Sequence, residues 1–598
     1  MGAARPGLLR FLGERSERER KFLPYPMHRF GLVRNLMRNS YPEIGNSTHP
    51  GQRAGVHVLY LLRRPKRRLL LYLKPVYFFA AKSAPGTGSA AKTSCIFTAF
   101  ARKSYFMKRT FAIFAALYSC AAFADVKPAA IFTDNMIFQA DMPMRVWGSA
   151  DPGEKVKVSF MGKSAHASAG KDGYWRADLP PSKYVRKGGE LLIEGKNRVA
   201  IKNVVVGEVW LCSGQSNMEY SLSSAKGGRE IVNSAEKPLV RFINIPLNTA
   251  EKPLGMHGVD SSVSWAEATS EYRKQLERAS AVGMLFAFEI YEKLGVPVGI
   301  LNSSYGGSRL ESWMTRGAAE KSGEMPYVER MEKLFNQWQE RDIAEWEKMT
   351  DDERRQKGRI KKPNNRNGVV QWCYNAMINP LEPFAVRGEL WYQGEMNSGT
   401  AKEYLALFPK YAEMMREKFE NPRMLIFSVQ LPDFKEKGWI ALRDVQRRLG
   451  EAVPLSGCAV IIDGNEIDLH PKDKDAVAHR LALLALSDAY GMKVDSRSPV
   501  PAKVSLSGGA VRVDFKYAAN GLKTSDSKPP RTFEAAGADG KFYPAEARIQ
   551  GKSSVVLALP PEVKNPAKVR YGWSEDPDVN LYSGAGLPAS PFEEDVSK

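Results

Sequence analysis

The pattern of hydrophobic and polar positions divides the chain after residue 125 into three parts. In residues 126–206, short runs of alternating apolar and polar residues lie between Gly, Pro and Asp turn signals. Such runs are typical of half-buried strands, and their even spacing predicts a small β-sandwich module. The predicted strands cover residues 144–147, 155–160, 174–177, 190–193 and 198–206.

Residues 207–492 instead alternate short apolar runs with longer segments of helical period. The predicted strands are 209–212, 298–301, 390–392, 424–429 and 459–462, and the predicted helices are 280–294, 404–419 and 474–490. Strand–helix alternation is typical of a parallel sheet with helices on both faces. Residues 324–359 are highly charged with apolar residues at helical spacing, which predicts a helical insertion on the surface.

Residues 499–595 return to the β pattern. Apolar or alternating runs at 511–515, 547–549 and 555–559 lie between Gly and Pro turns, so a second β module is predicted there. The fold class expected from the pattern is therefore α/β, flanked by an N-terminal β-sandwich and a C-terminal β module.

Charge is distributed unevenly along the 598 residues. The net charge is +21, but residues 1–106 hold 20 Lys and Arg against four Glu and no Asp. Because the basic excess belongs mostly to this segment, it does not indicate a nucleic-acid partner for the rest of the chain.

A secretory signal peptide is predicted at 107–124. The segment reads Met-Lys-Arg, then an apolar run, then Ala-Phe-Ala directly before Asp125. These are the charged region, the apolar region and the cleavage site of a signal peptide. Since signal peptides begin a protein, we expect translation to start at Met107 and residues 1–106 to be a mis-translated upstream extension. The mature protein is then exported, either periplasmic or secreted.

Two alternatives stay open for this start. One is a genuine basic extension with an internal membrane anchor, and the other is lipid attachment at Cys120, where Tyr118 fits a lipobox poorly. No apolar run after Asp125 is long enough to span a bilayer. The remaining cysteines show neither a disulfide framework nor zinc-ligand spacing, so no metal is expected.

Candidate chemistry lies where predicted strands end. The string Gly-Gln-Ser-Asn-Met at 214–218 follows the first strand of the α/β region, and ligand sites in open α/β sheets lie at the carboxyl ends of strands. Ser216 is there either a nucleophile or a cap of the next helix. The string lacks the second glycine of Gly-x-Ser-x-Gly, which disfavours an α/β-hydrolase elbow.

His470 is the candidate base. It lies in the loop after the predicted strand 459–462, two residues after Asp468, whose carboxylate can orient an imidazole. The alternative is that Asp468 and His470 only satisfy the local backbone of this loop. His479 lies inside a predicted helix and is interpreted as a surface or packing residue.

Two further strand ends offer donors for an oxyanion. Asn-Ser-Ser-Tyr-Gly-Gly-Ser at 302–308 follows one strand, where a glycine lets a backbone N–H approach a ligand closely. Trp-Tyr-Gln-Gly-Glu-Met-Asn at 391–397 ends another strand and offers side-chain amides. Four strand ends with suitable groups are hard to explain by helix capping alone.

Together, these strings resemble the SGNH hydrolase superfamily and, within it, the sialate O-acetylesterase family, over roughly residues 126–595. The resemblance implies a flavodoxin-like three-layer core at 207–492 and metal-free hydrolysis of a carboxylic ester without a cofactor. It also implies roles for individual residues. Ser216 matches the nucleophile and supplies the first oxyanion donor, Gly307 (with Gly306 possible) the second, and Asn397 the third, with Gln393 sharing that role.

The same resemblance makes His470 the base. The superfamily often places its acid three residues before this histidine, and that position is Ile467 here. Asp468 is the nearest substitute, and Asp463 is the reserve.

The implied function is a secreted serine esterase that removes O-acetyl groups from sialic acids through an acetyl-enzyme. Two alternatives remain: an esterase acting on acetylated plant polysaccharide such as xylan, and an inactive carbohydrate-binding protein. Retention of Ser216, His470 and both donor strings argues against the inactive protein. The expected partner is an O-acetylated sialic acid or another acetylated glycan.

Overall fold

The computed structural model describes residues 56–60, 72–76 and 125–597, apart from 261, 359–361, 364–365, 465 and 519. The chain divides into two compact units, Met1–Ala122 and Phe123–Lys598. In the first unit, strands β1 (Val56–Tyr60) and β2 (Tyr72–Val76) pair antiparallel. Apart from these strands, the predicted extension and the signal peptide with Cys120 lie outside the described residues and stay predictions. No helix in the described ranges combines the length and apolar content needed to cross a bilayer.

The N-terminal part of the second unit consists of short strands, as its alternating pattern predicts. In β6, for example, Val156, Val158 and Phe160 are buried while the residues between them face outward. This period of two places one side of each strand in the core. The strands are β3 (Lys127–Pro128), β4 (Ile137–Gln139), β5 (Met144–Ser149), β6 (Lys155–Phe160), β7 (Lys163–Ser168), β8 (Tyr174–Leu179) and β9 (Val185–Glu194).

Strand β10 (Arg198–Gly214) is shared between this β region and the sheet that follows. Its first half pairs antiparallel with β9, and its second half pairs in parallel with two strands of the central sheet. The predicted boundary between 206 and 207 therefore falls inside one continuous strand. The turn after Gly214 therefore follows a strand that belongs to both the N-terminal β region and the central sheet.

The central sheet is mixed, with six parallel strands in the order β11, β13, β10, β14, β15, β16 and the short β12 antiparallel at the edge. Its registers pair Gly214 with Ser304 on one side and with Tyr392 on the other. The carboxyl ends of the three middle strands are therefore level. The remaining strands are β11 (Lys237–Asn244), β12 (Ala266–Ala268), β13 (Val298–Ser304), β14 (Gly388–Tyr392), β15 (Leu425–Val429) and β16 (Ser456–Ala459).

The helices of this region range from the single turn of α1 to the 24 residues of α6. They are α1 (Ser216–Glu219), α2 (Gly228–Ser234), α3 (Arg273–Leu276), α4 (Ala281–Leu294), α5 (Arg316–Glu320), α6 (Met325–Lys348), α7 (Asp351–Gln356), α8 (Ala401–Lys418), α9 (Trp439–Ala452) and α10 (Asp475–Asp488). Short 3₁₀ or π turns are Leu222–Ser224, Ser270–Tyr272, Leu310–Trp313, Arg366–Gly368, Tyr374–Ile378, Asn379–Leu381 and Glu395–Thr400.

Helices cover both faces of the central sheet. Trp210 and Cys212 of β10 pack in one cluster with α4 and α10, whereas Val209 and Leu211 pack in another with α8 and α9. Successive side chains of a strand point to opposite faces, so a strand buried on both sides reads as a continuous apolar run. The second cluster continues into the core of the N-terminal strands.

Two sequence predictions in this region need correction. The strand predicted at 459–462 lies at Ser456–Ala459, because its pairing with β15 ends at the register of Val429 with Ala459. Val460 is still buried, and its carbonyl accepts a hydrogen bond from Arg480. The pattern also missed β11, since Arg241 interrupts its apolar run although the side chain is 2% exposed.

Outside the sheet, the charged segment 324–359 forms α6 and α7, which confirms its helical prediction. The C-terminal part is β structure around its own core, with two four-stranded sheets and one strand pair. Its strands are β17 (Val500–Ser507), β18 (Ala510–Lys516), β19 (Leu522–Thr524), β20 (Phe533–Ala536), β21 (Phe542–Pro544), β22 (Glu546–Gln550), β23 (Ser554–Ala558), β24 (Lys568–Tyr571), β25 (Leu581–Ser583) and β26 (Phe592–Asp595).

Candidate active site

The side chains of Ser216 and His470 meet at the carboxyl edge of the sheet. The Nε2 atom of His470 lies 2.7 Å from the Oγ atom of Ser216, although the two residues are 254 positions apart. Ser216 is the first residue of α1, and only Gln215 separates it from the end of β10. The contact has the hydrogen-bond length needed for proton transfer between a hydroxyl and an imidazole.

The turn that presents Ser216 depends on a glycine. Gly214 has a φ of +128°, and a Cβ atom there would lie 2.2 Å from the carbonyl oxygen of Tyr392 on β14. The chain can pass this close to the neighbouring strand only without a side chain. Gly214 thus places the reactive turn directly beside the end of β14.

The imidazole of His470 is half-buried and stacked. Tyr220 lies against it with ring centroids 6.5 Å apart and an interplanar angle of 22°. Burial and the nearby cation of Lys474 lower the pKa of His470, and Asp468 opposes them. A lowered pKa keeps the imidazole neutral at neutral pH, which is the form that can accept a proton.

Asp468 contacts His470 through the backbone rather than through the ring. Its Oδ1 atom accepts a hydrogen bond from the His470 backbone N–H at 3.0 Å, and the side chain is exposed. A two-residue span lets the carboxylate close this tight turn on the main chain. Among the described residues, no carboxylate accepts a hydrogen bond from the His470 ring, so the expected Asp468–imidazole contact is absent from the geometry.

The reserve acid, Asp463, bonds to Arg480 and Tyr582 and not to His470. Both of its carboxylate oxygens accept hydrogen bonds from Arg480 at 2.7 Å, and Tyr582 donates a further bond at 3.3 Å. Bidentate pairing of this kind is among the stronger polar contacts in proteins. The residues between β16 and α10, 460–474, carry His470 and form the histidine loop. Asp463 therefore fixes the beginning of this loop to α10.

The glycine turn after β13 lies against Ser216. A Cβ atom on Gly306 would lie 3.3 Å from the Cβ of Ser216, and the N–H of Gly306 donates to the carboxylate of Glu219 at 2.6 Å. Gly307 has a φ of +71°. In the part of the chain that the structure describes, the N–H of Gly307 has no acceptor, so it is available to a ligand.

Gln393 and Asn397 lie in a buried network instead of an open pocket. The Nε2 of Gln393 donates to Gln215, to the carbonyl of Ser308 and to the Oδ1 of Asn397 at 2.8–3.1 Å. The Nδ2 of Asn397 donates to Glu311 at 3.0 Å. The expected third oxyanion donors thus already hold the loop after β14, because their amides bond to protein acceptors.

Two residues of the Gly-Gln-Ser-Asn-Met string have contacts that sequence reasoning missed. The Oε1 atom of Gln215 accepts hydrogen bonds from the chain at 393–396, which follows β14. The Nδ2 atom of Asn217 donates to Glu395 at 2.6 Å and to the carbonyl of Leu469 at 2.8 Å. The string itself was the only signal, since its partners are about 180 and 250 residues away.

Two buried charges complete the site, and neither was expected. Lys474 is 1% exposed and donates to the Oδ1 of Asn217 at 2.6 Å. Burial lowers the pKa of Lys474 to about 8 and raises the pKa of Glu395 to about 7. Removing charged groups from water disfavours their charged forms, which explains both directions.

His479, which was interpreted as a surface or packing residue, lies on the surface. The Nδ1 of His479 lies 2.9 Å from Glu289, with 55% of the histidine side chain exposed. This hydrogen bond raises the pKa of His479. His479 thus belongs to an ion pair between α10 and α4 and not to the Ser216 site.

The chain is similar to known carbohydrate esterases. A family model described as carbohydrate esterase, sialic acid-specific acetylesterase, matches residues 342–470. The sialate O-acetylesterase of Mus musculus is 28% identical over 528 residues, covering 78% of this chain and 94% of its own length. The human protein of the same name is 28% identical over 522 residues, covering 78% and 91%.

A solved structure is also similar to this chain. A carbohydrate acetylesterase from Xanthomonas citri superposes with a TM-score of 0.67 at 32% sequence identity, and the match covers 79% of this chain and all of that one. The match therefore extends well beyond the residues that the family model covers. The chain therefore belongs to the sialate O-acetylesterase family and is a carboxylic ester hydrolase.

Proposed function

We propose that this protein is an exported serine esterase that removes O-acetyl groups from sialic acids through an acetyl-enzyme. The observation that carries the proposal is the 2.7 Å contact between Ser216 Oγ and His470 Nε2. A nucleophile within hydrogen-bond reach of a neutral base is the arrangement that acyl transfer requires.

We assign this chemistry to a flavodoxin-like core of the SGNH type at 207–492, with β modules at 126–206 and 499–595. A parallel sheet with helices on both faces and a site at its carboxyl edge supports this assignment. The first module and the core share β10, so we expect them to unfold together.

In the first step, His470 takes the proton of Ser216 while Oγ attacks the acetyl carbonyl carbon. The carbonyl π electrons move onto oxygen, and the tetrahedral intermediate collapses as the sugar oxygen leaves with the proton from His470. Water then attacks the acetyl-enzyme with His470 again as the base, which releases acetate and restores the Ser216 hydroxyl.

The backbone N–H groups of Ser216 and Gly307 are the oxyanion donors that the contacts support best. Ser216 begins α1, where the first amides have no acceptor within the helix. The N–H of Gly306 is excluded from this role because Glu219 already accepts it. We assign Gln393 and Asn397 to holding the adjacent loop in place, given the protein acceptors of their amides.

We propose that Ser216 and His470 act as a dyad and that Asp468 is a positioning residue. Its carboxylate holds the backbone of His470, and its negative charge favours the imidazolium that forms in the transition state. The charge is exposed to solvent, so its contribution is screened.

The choice of sialic acid over plant polysaccharide rests on the mouse and human relatives, which are sialate O-acetylesterases. Parallel assays of acetate release from 9-O-acetylated sialic acid and from acetyl-xylan test this choice. A kcat/KM at least about ten-fold higher on the sialic acid is expected, a difference of about 1.4 kcal/mol. A preference for xylan would reassign the substrate while leaving the esterase chemistry intact.

A further inference from the structure

Lys474 is a buried cation that the proposed mechanism does not use. It lies four residues after His470 and directly before α10, with 1% of its surface exposed. Its Nζ donates to Asn217 and lies 4.9 Å and 5.6 Å from the ring centroids of Tyr220 and Tyr392. Burying an ammonium group costs free energy unless its surroundings compensate, so its placement beside the reactive pair calls for an explanation.

The contacts of Asn217 connect this cation to both reacting residues. Asn217 follows Ser216 in the chain, and its Nδ2 donates to the carbonyl of Leu469, which directly precedes His470. The same Nδ2 donates to Glu395, and its Oδ1 accepts from Lys474. One amide therefore joins the nucleophile turn to the histidine loop, and Lys474 and Glu395 fix the orientation of that amide.

We propose that Lys474, acting through Asn217, is a positioning residue that holds the Ser216–His470 contact in its reactive geometry. This inference rests on the proposed function, because it concerns the same nucleophile and base. Without the ammonium group, the amide of Asn217 loses its only partner on Oδ1 among the described residues. The amide is then held through its Nδ2 alone, so the attachment of the histidine loop to α1 is less fixed. Small displacements of reacting groups lower rates strongly.

Lys474 also acts on His470 through its charge. Four carboxylates favour the charged form of the ammonium group through their own charge, Glu395 from the loop after β14 and Glu466, Asp468 and Asp473 from the histidine loop. Lys474 lowers the pKa of His470, and Asp468 raises it. Removing the cation should raise the pKa of His470. Because the base must be neutral to react, the acid limb of the pH profile of kcat/KM should then move to higher pH.

The test uses the full chain with three variants, Lys474→Met, Asn217→Ala and Lys472→Met. Lys472 is the matched control, because it is an exposed lysine of the same loop and its substitution by Met removes the same charge. Each variant is assayed against pH with 4-nitrophenyl acetate and with 9-O-acetylated sialic acid, and thermal unfolding reports the folded fraction. The small ester keeps kcat measurable whatever the natural sugar is.

We expect Lys474→Met and Asn217→Ala to lower kcat by about 10- to 100-fold with KM changed by less than about two-fold. The acid limb should move up in Lys474→Met alone, because Asn217→Ala keeps the cation. Lys472→Met should stay within about two-fold of the wild type. If Lys474→Met does not fold, the kcat of Asn217→Ala decides.

The inference is overturned if Asn217→Ala keeps kcat within two-fold of the Lys472→Met control, or if folded Lys474→Met shows an unmoved acid limb. A separate result would reject the proposed function. If Ser216→Ala hydrolyses the same esters at the wild-type rate, the reaction does not use this site, and the inference about its geometry falls together with the proposed function.

Discussion

The carboxylate of Asp468 lies 3.0 Å from the backbone nitrogen of His470 and accepts a hydrogen bond from that N–H. The sequence predicts instead that this carboxylate orients the imidazole ring of His470. The proposed base is consequently held by its loop and by the stacked Tyr220. A side-chain acid on the imidazole is not required for this geometry.

The first prediction follows from that contact. Asp468→Asn should keep kcat within about five-fold, because an amide oxygen can still accept the His470 N–H. Since Asp468 raises the pKa of His470, losing its charge should move the acid limb of kcat/KM to lower pH. A pH profile of the purified variant measures both. A loss of more than about 100-fold would mean that Asp468 bonds the ring during turnover.

Substitution of His470 and substitution of His479 should have different effects on activity. His470→Ala should lower kcat by roughly 10⁴-fold, as expected for loss of the base of a serine esterase. His479→Ala should stay within about three-fold, because that side chain pairs with Glu289 on the surface. Initial rates of the two purified variants compare them directly. Equal losses would contradict the assignment of the base.

Gly214 should be intolerant of any side chain. Gly214→Ala places a Cβ atom 2.2 Å from the Tyr392 carbonyl at a φ of +128°, and we expect a loss of about 3 kcal/mol or more in the free energy of unfolding. Gly317→Ala is the control, because no atom lies within 4 Å of its added Cβ and it lies in helix α5. Urea unfolding of both variants gives the difference. Equal midpoints would show that the turn relaxes freely.

The mature N-terminus should be Asp125. The expectation comes from the Ala-Phe-Ala site after a short apolar run. Mass spectrometry of protein recovered from the periplasm or medium of a bacterial host identifies the first residue. Peptides from residues 1–106 in the native organism would instead establish the upstream extension as part of the protein.

The sequence predicts the position of Ser216 and His470 well, for a physical reason. Parallel strands gather their carboxyl ends at one edge, so polar residues after several strands must lie near one another. The register of Gly214 with Ser304 and Tyr392 brings those ends level. Strand alternation likewise predicts the outer β structure, because one face of each strand is buried.

The hydrogen bonds of the Asn217 side chain to Lys474, Glu395 and Leu469 could not be predicted in the same way. Asn217 and Lys474 are 257 residues apart, and their bond depends on how the histidine loop folds back over α1. No local period or turn signal encodes such a contact. The buried Arg241 of β11 illustrates the same limit. The free-energy cost of burying its guanidinium is offset by hydrogen bonds to the backbone carbonyls of Met136 and Asn203, which only the tertiary structure brings near.

The most direct test of the central claim is acetate release by Ser216→Ala, compared with the wild type and with Ser221→Ala. Ser221 is the matched control, because its hydroxyl lies five residues further along and bonds to Ser224. With 9-O-acetylated sialic acid as substrate, Ser216→Ala should lose about 10⁴-fold or more in kcat/KM while Ser221→Ala stays within a few-fold. Retention of near-wild-type acetate release by a folded Ser216→Ala protein would contradict the proposed nucleophile and, with it, the esterase mechanism at this site.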